Sequence, residues 1–242
     1  MIAPRIADIW VYLSASPLLW LTLTLIAYQG AYWLYARADF NPLVNPVPIA
    51  IVALVLALKA TGTEYPTYFE GAQFVHFLLG PATIALAVPL YAQFDKLRRL
   101  LLPLGGALVA GSVTAIGSVL AIGWALGASD ATLLSLVPKS VTAPIAMGIT
   151  EKLGGIPSLT AVLVILTGVS GAVMAKYVLD ALRIKDHGVR GFAVGVAAHG
   201  IGTARAFQVS EEAGAFAGLG MGLNGLLTAV LVPVVVSLIR HF

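Results

Sequence analysis

Residues Val137 to Gly148 read VPKSVTAPIAMG, a lysine set beside two prolines, two hydroxyl residues and a glycine. The chain around it has 242 residues, 59% of them hydrophobic and 10% charged, with a mean hydropathy of +0.94. Soluble domains carry about 25% charged residues. Apolar runs long enough to cross a hydrocarbon core of about 30 Å recur from end to end, so the chain reads as a multi-pass membrane protein with no soluble domain left over. In that setting VPKSVTAPIAMG is an interruption inside the membrane, and its lysine needs a reason.

Charges and Pro/Gly breaks separate apolar segments near Ser14–Tyr35, Val44–Leu58, Tyr65–Phe94, Leu100–Leu126, Leu133–Thr150, Pro157–Leu182, Gly188–Phe207 and Ala213–Ile239. Helices are expected, because a bilayer admits only backbone that satisfies its own hydrogen bonds. Two segments depart from the pattern. Tyr65–Phe94 is broken by Gly80-Pro81 and by Pro89, and Leu133–Thr150 is short and broken by Pro138 and Pro144. Proline removes a helical N–H and clashes with the preceding turn. Each segment therefore reads as half-helices forming either a discontinuous crossing or a re-entrant hairpin. The fold class expected is an all-α polytopic membrane protein, with about six full transmembrane helices plus two broken or re-entrant helical segments. The N-terminal MIAPRIADIWVYLSASPLLW has no small-residue cleavage site after a short apolar core and reads as retained.

The broken segments resemble one another. GPATIALAVPLYAQFDKL (Gly80–Leu97) lies on VPKSVTAPIAMGITEKL (Val137–Leu153) with Thr83 opposite Thr142, and the likeness continues from Leu102–Leu120 into Ile156–Met174. This predicts repeat units over 65–126 and 133–182, with an N-terminal helix within 1–43 and a C-terminal helix pair over 188–242. The alternative is two Ala/Val/Gly-rich stretches alike by composition. Charge offers a check. If all eight segments cross, the loop basic residues divide six against five; if both broken segments return to the side they entered, nine against two, with Arg37 and Lys152 outside; if only the second returns, eight against three. The positive-inside tendency favours a re-entrant second element. When both return, the units face opposite ways, an inverted repeat of the kind in which secondary transporters build midplane sites from interrupted helices.

An ionisable residue at membrane depth costs roughly 2.5–3.5 kcal/mol on insertion scales, so Lys139 must face protein, water or an interface. At the break of a half-helix it would sit among freed N–H groups, which favour anions, and Ser140 and Thr142 add hydroxyls; the alternative is a lysine snorkelling to the interface. Thr83 is the counterpart in the first broken segment, or else a hydroxyl bonded to its own helix. The run AAHGIGTARAFQVSEE (Ala197–Glu212) gathers His199, Thr203 and Arg205. His199 and Thr203, four apart, share a face of a regular helix. Arg205 suits a carboxylate and His199 suits a proton carrier; equally, Arg205 pairs with Glu211 or Glu212 and His199 is hydrogen-bonded in the core. Asn224, within GLGMGLNGLL, is a ligand or interhelical glue where small residues let helices approach. Trp10, Trp20 and Trp33 mark a lipid-facing or interface surface on the first segment.

No P-loop, paired metal-ligand motif or nucleophile beside a base stands in the sequence, so neither enzyme activity, nor a cofactor, nor a metal is expected. The net charge of +3 reads as loop charge and not as a nucleic-acid footprint. Zero cysteines exclude disulfides.

LGPATIALAVPLY (Leu79–Tyr91), PKSVTAPIA (Pro138–Ala146) and AAHGIGTARAF (Ala197–Phe207), in that order, resemble the LrgB/CidB family from Val44 onward. The resemblance implies a single LrgB-like transmembrane domain over 1–242 in the bacterial inner membrane. It implies one of two functions. One is a holin-like or antiholin-like protein that modulates murein hydrolase activity and lysis with a smaller LrgA/CidA-type membrane partner. The other is a carrier of small monocarboxylates, as in the plastid glycolate/glycerate translocator and in pairs linked to pyruvate. Without a transit peptide or fused LrgA-like part, the chain is expected to be a free-standing bacterial protein and a homodimer. A holin-like lesion needs little beyond helices, whereas the interrupted segments with Thr83, Lys139, Ser140 and Thr142 suit a preorganised anion site. The expected function is therefore secondary transport of small monocarboxylates by alternating access, with the holin/antiholin role as the alternative.

Overall fold

The structure, a computed structural model, describes residues 16–240; Trp10 and the start of the first segment at Ser14 lie outside the described residues. Helix ends follow local chemistry. α1 (Pro17–Arg37) carries proline in its first turn, where a missing N–H costs nothing. α2 (Pro46–Thr61) is capped by Asn45, whose side chain accepts from the Val47 N–H at 3.0 Å, and it stops at Gly62 with φ of 63°. The first broken segment forms three short helices, α3 (Tyr65–Phe77), α4 (Leu79–Ala85) and α5 (Ala87–Ala92). α3 and α4 each end four residues before a proline, Pro81 or Pro89, at the residue whose carbonyl loses its helical donor.

The chain divides into two compact units, one running to Ala85 and one starting at Leu86; the sequence-proposed repeat over 65–126 spans that division. In the first unit α3 lies against α1. A Cβ on Gly71 would stand 2.1 Å from the Pro17 carbonyl oxygen, so the approach requires glycine. Trp20 is completely buried there, edge-on to Tyr68 at 5.8 Å. This corrects the expectation that it marks an outward surface. Trp33 is exposed, with the Arg37 guanidinium 4.0 Å from its ring centre.

The second unit continues with α6 (Phe94–Ala125), α7 (Asp130–Leu136), α8 (Ala143–Leu153), α9 (Pro157–Ala181), α10 (His187–Val209) and α11 (Glu211–Arg240). The 32 residues of α6 span about 48 Å, more than a bilayer core. By length and apolar character α6, α9 and α11 can cross a membrane, as can the stretch Tyr65–Ala92; α2 is shorter.

Two elements of this unit fold back. α7, the break at 137–142 and α8 make one hairpin: the Ser135 hydroxyl accepts from the Ile156 N–H at 2.8 Å, so the outgoing and returning arms both stand at the start of α9. The second is α10, which the sequence presents as a crossing helix and which is instead a helix folded on itself. His199 interrupts it with φ 41° and ψ −134°. Gly191 packs on Ala213 and Gly195 on Ala217, so the first half of α10 runs parallel to α11, and its second half must return to reach Ser210. Lys96 at the start of α6 binds both Asp186, at the start of α10, and Glu212, at the start of α11, at 2.5 and 2.6 Å. Both feet of the second hairpin therefore lie at one end of the unit, opposite the feet of the first. The hairpin tips meet at Val164 of α9. Its side chain packs with Val141 and Ala146, and its carbonyl lies 3.0 Å from His199 Nε2.

Candidate functional site

The break between α7 and α8 follows from two prolines with a short loop between them. Lys139 N–H donates to the Leu136 carbonyl at 3.1 Å and Val141 N–H to Pro138 at 3.2 Å. The chain then extends at Thr142, ψ 147°, before α8 begins with proline in its first turn. This loop projects Lys139 into a cavity of about 760 Å³ within the second unit, walled by α6, α9 and the first half of α10. Lys139 is the one charged residue among those lining it. Its ammonium donates to the Ser140 hydroxyl at 3.3 Å. The ion pairs of the described residues join Lys96 to Asp186 and Glu212, and Arg190 to Asp180, so none supplies Lys139 with a carboxylate. A half-buried cation without an anion, in apolar surroundings, favours a negatively charged ligand.

The other residues singled out in the sequence are distributed as follows. Ser140 lines the cavity beside Lys139. Thr142 stands at the N-terminus of α8, its side chain making no capping bond, and is not among the lining residues. His199 is buried and closed onto the Val164 carbonyl. Thr203 is equally buried, its hydroxyl donating to the His199 carbonyl at 2.8 Å. Arg205, on the returning half of α10, donates to Gln208 at 3.1 Å and lies outside the cavity lining. Thr83 is on α4 of the first unit, and its pairing with Lys139 rests on the sequence argument alone.

Asn224 ties the two broken elements together. Its amide donates to the Ser140 carbonyl at 3.1 Å and to the Val196 carbonyl at 3.0 Å, and its oxygen accepts from Ser112 at 2.6 Å and Thr228 at 3.3 Å. An amide offers two donors and two lone pairs, so the whole capacity of Asn224 is engaged and it holds the tips in place rather than facing the cavity.

Sequence reasoning missed Thr167 and Ser170, which bring hydroxyls to the cavity from α9. The signal was present as spacing. Leu163, Thr167, Ser170 and Met174 recur at three and four residues, one stripe of a helix, and all four line the cavity. Thr167 is bonded to the Leu163 carbonyl at 2.7 Å.

Comparison with known proteins gives a consistent result. Residues 24–238 match the model of the LrgB-like family. The Bacillus subtilis protein YxaC is 36% identical over 216 residues, covering 89% of this chain and 94% of its own length. A holin-like protein CidB of Staphylococcus epidermidis is 31% identical over 227 residues, 94% of this chain and 98% of its own. An antiholin-like protein LrgB of Bacillus mycoides is 31% identical over 220 residues, 91% and 96% respectively. No solved structure matches the chain.

Proposed function

The chain belongs to the LrgB-like family, and with that as premise we propose that it is a secondary transporter of small monocarboxylates. The observation that carries the reading is Lys139: a cation without a carboxylate partner, held at the tip of a re-entrant hairpin and facing a cavity large enough for a small organic acid. Two opposed hairpins meeting at the depth of a ligand site support alternating access. In this reading the carboxylate is neutralised by Lys139 and hydrogen-bonded by Ser140, with Thr167 and Ser170 within the same cavity. The loops and first turns at the feet of the second hairpin carry Lys96, Arg98, Arg99, Arg183, Lys185 and Arg190, against Lys152 and Arg240 at the other end. The positive-inside tendency then puts the feet of the second hairpin in the cytoplasm, of a bacterial inner membrane.

Two of the relatives' names favour a second reading, since they say holin-like and antiholin-like. In that reading the chain modulates murein hydrolase activity and lysis, with an LrgA/CidA-type partner and as a homo-oligomer. Proteoliposomes separate the two. Saturable counterflow of labelled pyruvate or glycolate, abolished by Lys139→Ala, supports the carrier; release of dyes over a broad size range, indifferent to that substitution, supports the holin-like role and ends the carrier reading.

A further inference from the structure

The cavity is polar at one end only. Lys139 and Ser140 stand at the hairpin tip, with Thr167 and Ser170 on the adjoining turns of α9, while the lining toward the feet of the second hairpin is formed by Leu100, Leu104, Met174, Val189 and Phe192. A site of about 760 Å³ lies in the upper part of the ~300–1,000 Å³ range usual for small-molecule sites. A two- or three-carbon acid would occupy its polar end and leave the apolar end empty or wet. The hydroxyls of a polyol acid directed at leucine, methionine and phenylalanine would lose their hydrogen bonds, at a cost. A dicarboxylate would bring a second charge that no lining residue balances.

From this segregation we propose that the preferred ligand is a monocarboxylate with an apolar body. The charge sits at Lys139, and a branched or aromatic tail lies between α6, α9 and α10 toward Leu100 and Val189. This deepens the carrier reading and rests on it. Within the monocarboxylates it selects against glycerate-like polarity and for tail length, each buried methylene strengthening binding by about fourfold.

The test uses the full chain in phosphatidylcholine proteoliposomes, with labelled pyruvate counterflow as the readout and unlabelled acids as competitors. The expected result is half-inhibition by 4-methyl-2-oxopentanoate at a concentration at least about tenfold below that of glycerate, with succinate no better than glycerate. Met174→Gln, or Leu104→Gln should the first not fold, is expected to move the ratio of the two half-inhibitory concentrations toward one. Saturable, Lys139-dependent pyruvate counterflow in which glycerate competes as well as the branched acid overturns this inference and leaves the carrier reading standing. Absence of saturable counterflow overturns both. If adding phosphatidylglycerol to the vesicles abolishes the preference, the apolar end is occupied by lipid, and that result also overturns the inference.

Discussion

The two re-entrant hairpins of the second unit are broken by different means and serve different ends. The first, 130–153, is opened by Pro138 and Pro144 and presents an unpaired lysine to a cavity. The second, 187–209, has no proline; it turns at His199, and the buried polar groups there, His199 and Thr203, are spent on the Val164 carbonyl and on its own backbone. Their packing differs in the same sense. A Cβ on Gly148 in the first would meet nothing within 4 Å, whereas one on Gly195 in the second would lie 2.0 Å from the Ala217 carbonyl oxygen. The first hairpin leaves the Gly148 face of α8 open and presents Lys139 to the cavity, and the second is packed closely on α11.

The largest expected effect breaks that contrast directly. Gly195→Val must part α10 from α11 and is expected to cost about 3 kcal/mol or more, read as loss of monodisperse protein on size exclusion in detergent. Gly148→Ala, on the free face of α8, is expected to be neutral or to raise the melting temperature, since alanine exceeds glycine in helix propensity by up to about 1 kcal/mol. Equal damage from both substitutions would refute the assignment of an open α8 face and a close α10–α11 contact.

Next in size is Asn224→Ala, which strips the tie between the tips and leaves the carbonyls of Ser140 and Val196 and the hydroxyl of Ser112 without their partner. Buried groups left unsatisfied cost about 1–3 kcal/mol each before relaxation, so a loss of about 2–3 kcal/mol is expected in thermal unfolding. Because Ser112 and Asn224 share one bond, Ser112→Ala added to Asn224→Ala should cost less than it does alone. Simple additivity would place Ser112 outside the network.

His199 allows a finer cut. A side chain at φ 41°, ψ −134° occupies backbone space that suits glycine, at a cost on the order of 1–3 kcal/mol. His199→Ala removes the bond to Val164 and keeps the strain, whereas His199→Gly removes both. The glycine variant should therefore be the more stable of the two by about 1–2 kcal/mol in the same thermal assay. The reverse order would mean that the backbone at the tip is not held as described.

This is also where legibility in the sequence ended. Breaks that depend on proline could be read, because proline deletes a specific N–H: Pro81 and Pro89 each mark one, and Pro138 and Pro144 together mark a third. The His199 break could not, since its only local sign is the flanking glycine in HGIG, and glycine within an apolar helix more often serves close packing. Close packing is what Gly191 and Gly195 do serve, and their regular spacing conceals a reversal four residues later. Lys139 was legible because an isolated charge in apolar sequence always requires an explanation. Thr167 and Ser170 were missed because their three-and-four spacing marks a stripe of α9 without saying, in a helix apolar all round, that this stripe is the one facing a cavity. The burial of Trp20 was hidden for the same reason.

The smallest effect concerns the foot of the second hairpin, where Lys96 joins Asp186 to Glu212. The hydrogen bond from Lys96, with a second from the Val189 N–H, holds the Asp186 carboxyl below its ordinary value of 3.8. A depressed carboxylate contributes stability that is fully present above the unfolded value and is lost as pH falls through the folded one. Unfolding followed from pH 6 down to pH 3 should therefore show wild type losing its advantage over Asp186→Asn only below about pH 4. The pair is close to solvent, so the advantage at neutral pH is expected to be about 0.2–1 kcal/mol and to shrink with added salt. If the clamp holds the hairpin feet, Lys96→Met should lose about as much as Asp186→Asn and Glu212→Gln do together, and make the foot of α10 exchange its amide protons faster while the α7–α8 hairpin stays unchanged. Faster exchange in both hairpins would mean that Lys96 stabilises the whole unit and not the second hairpin alone.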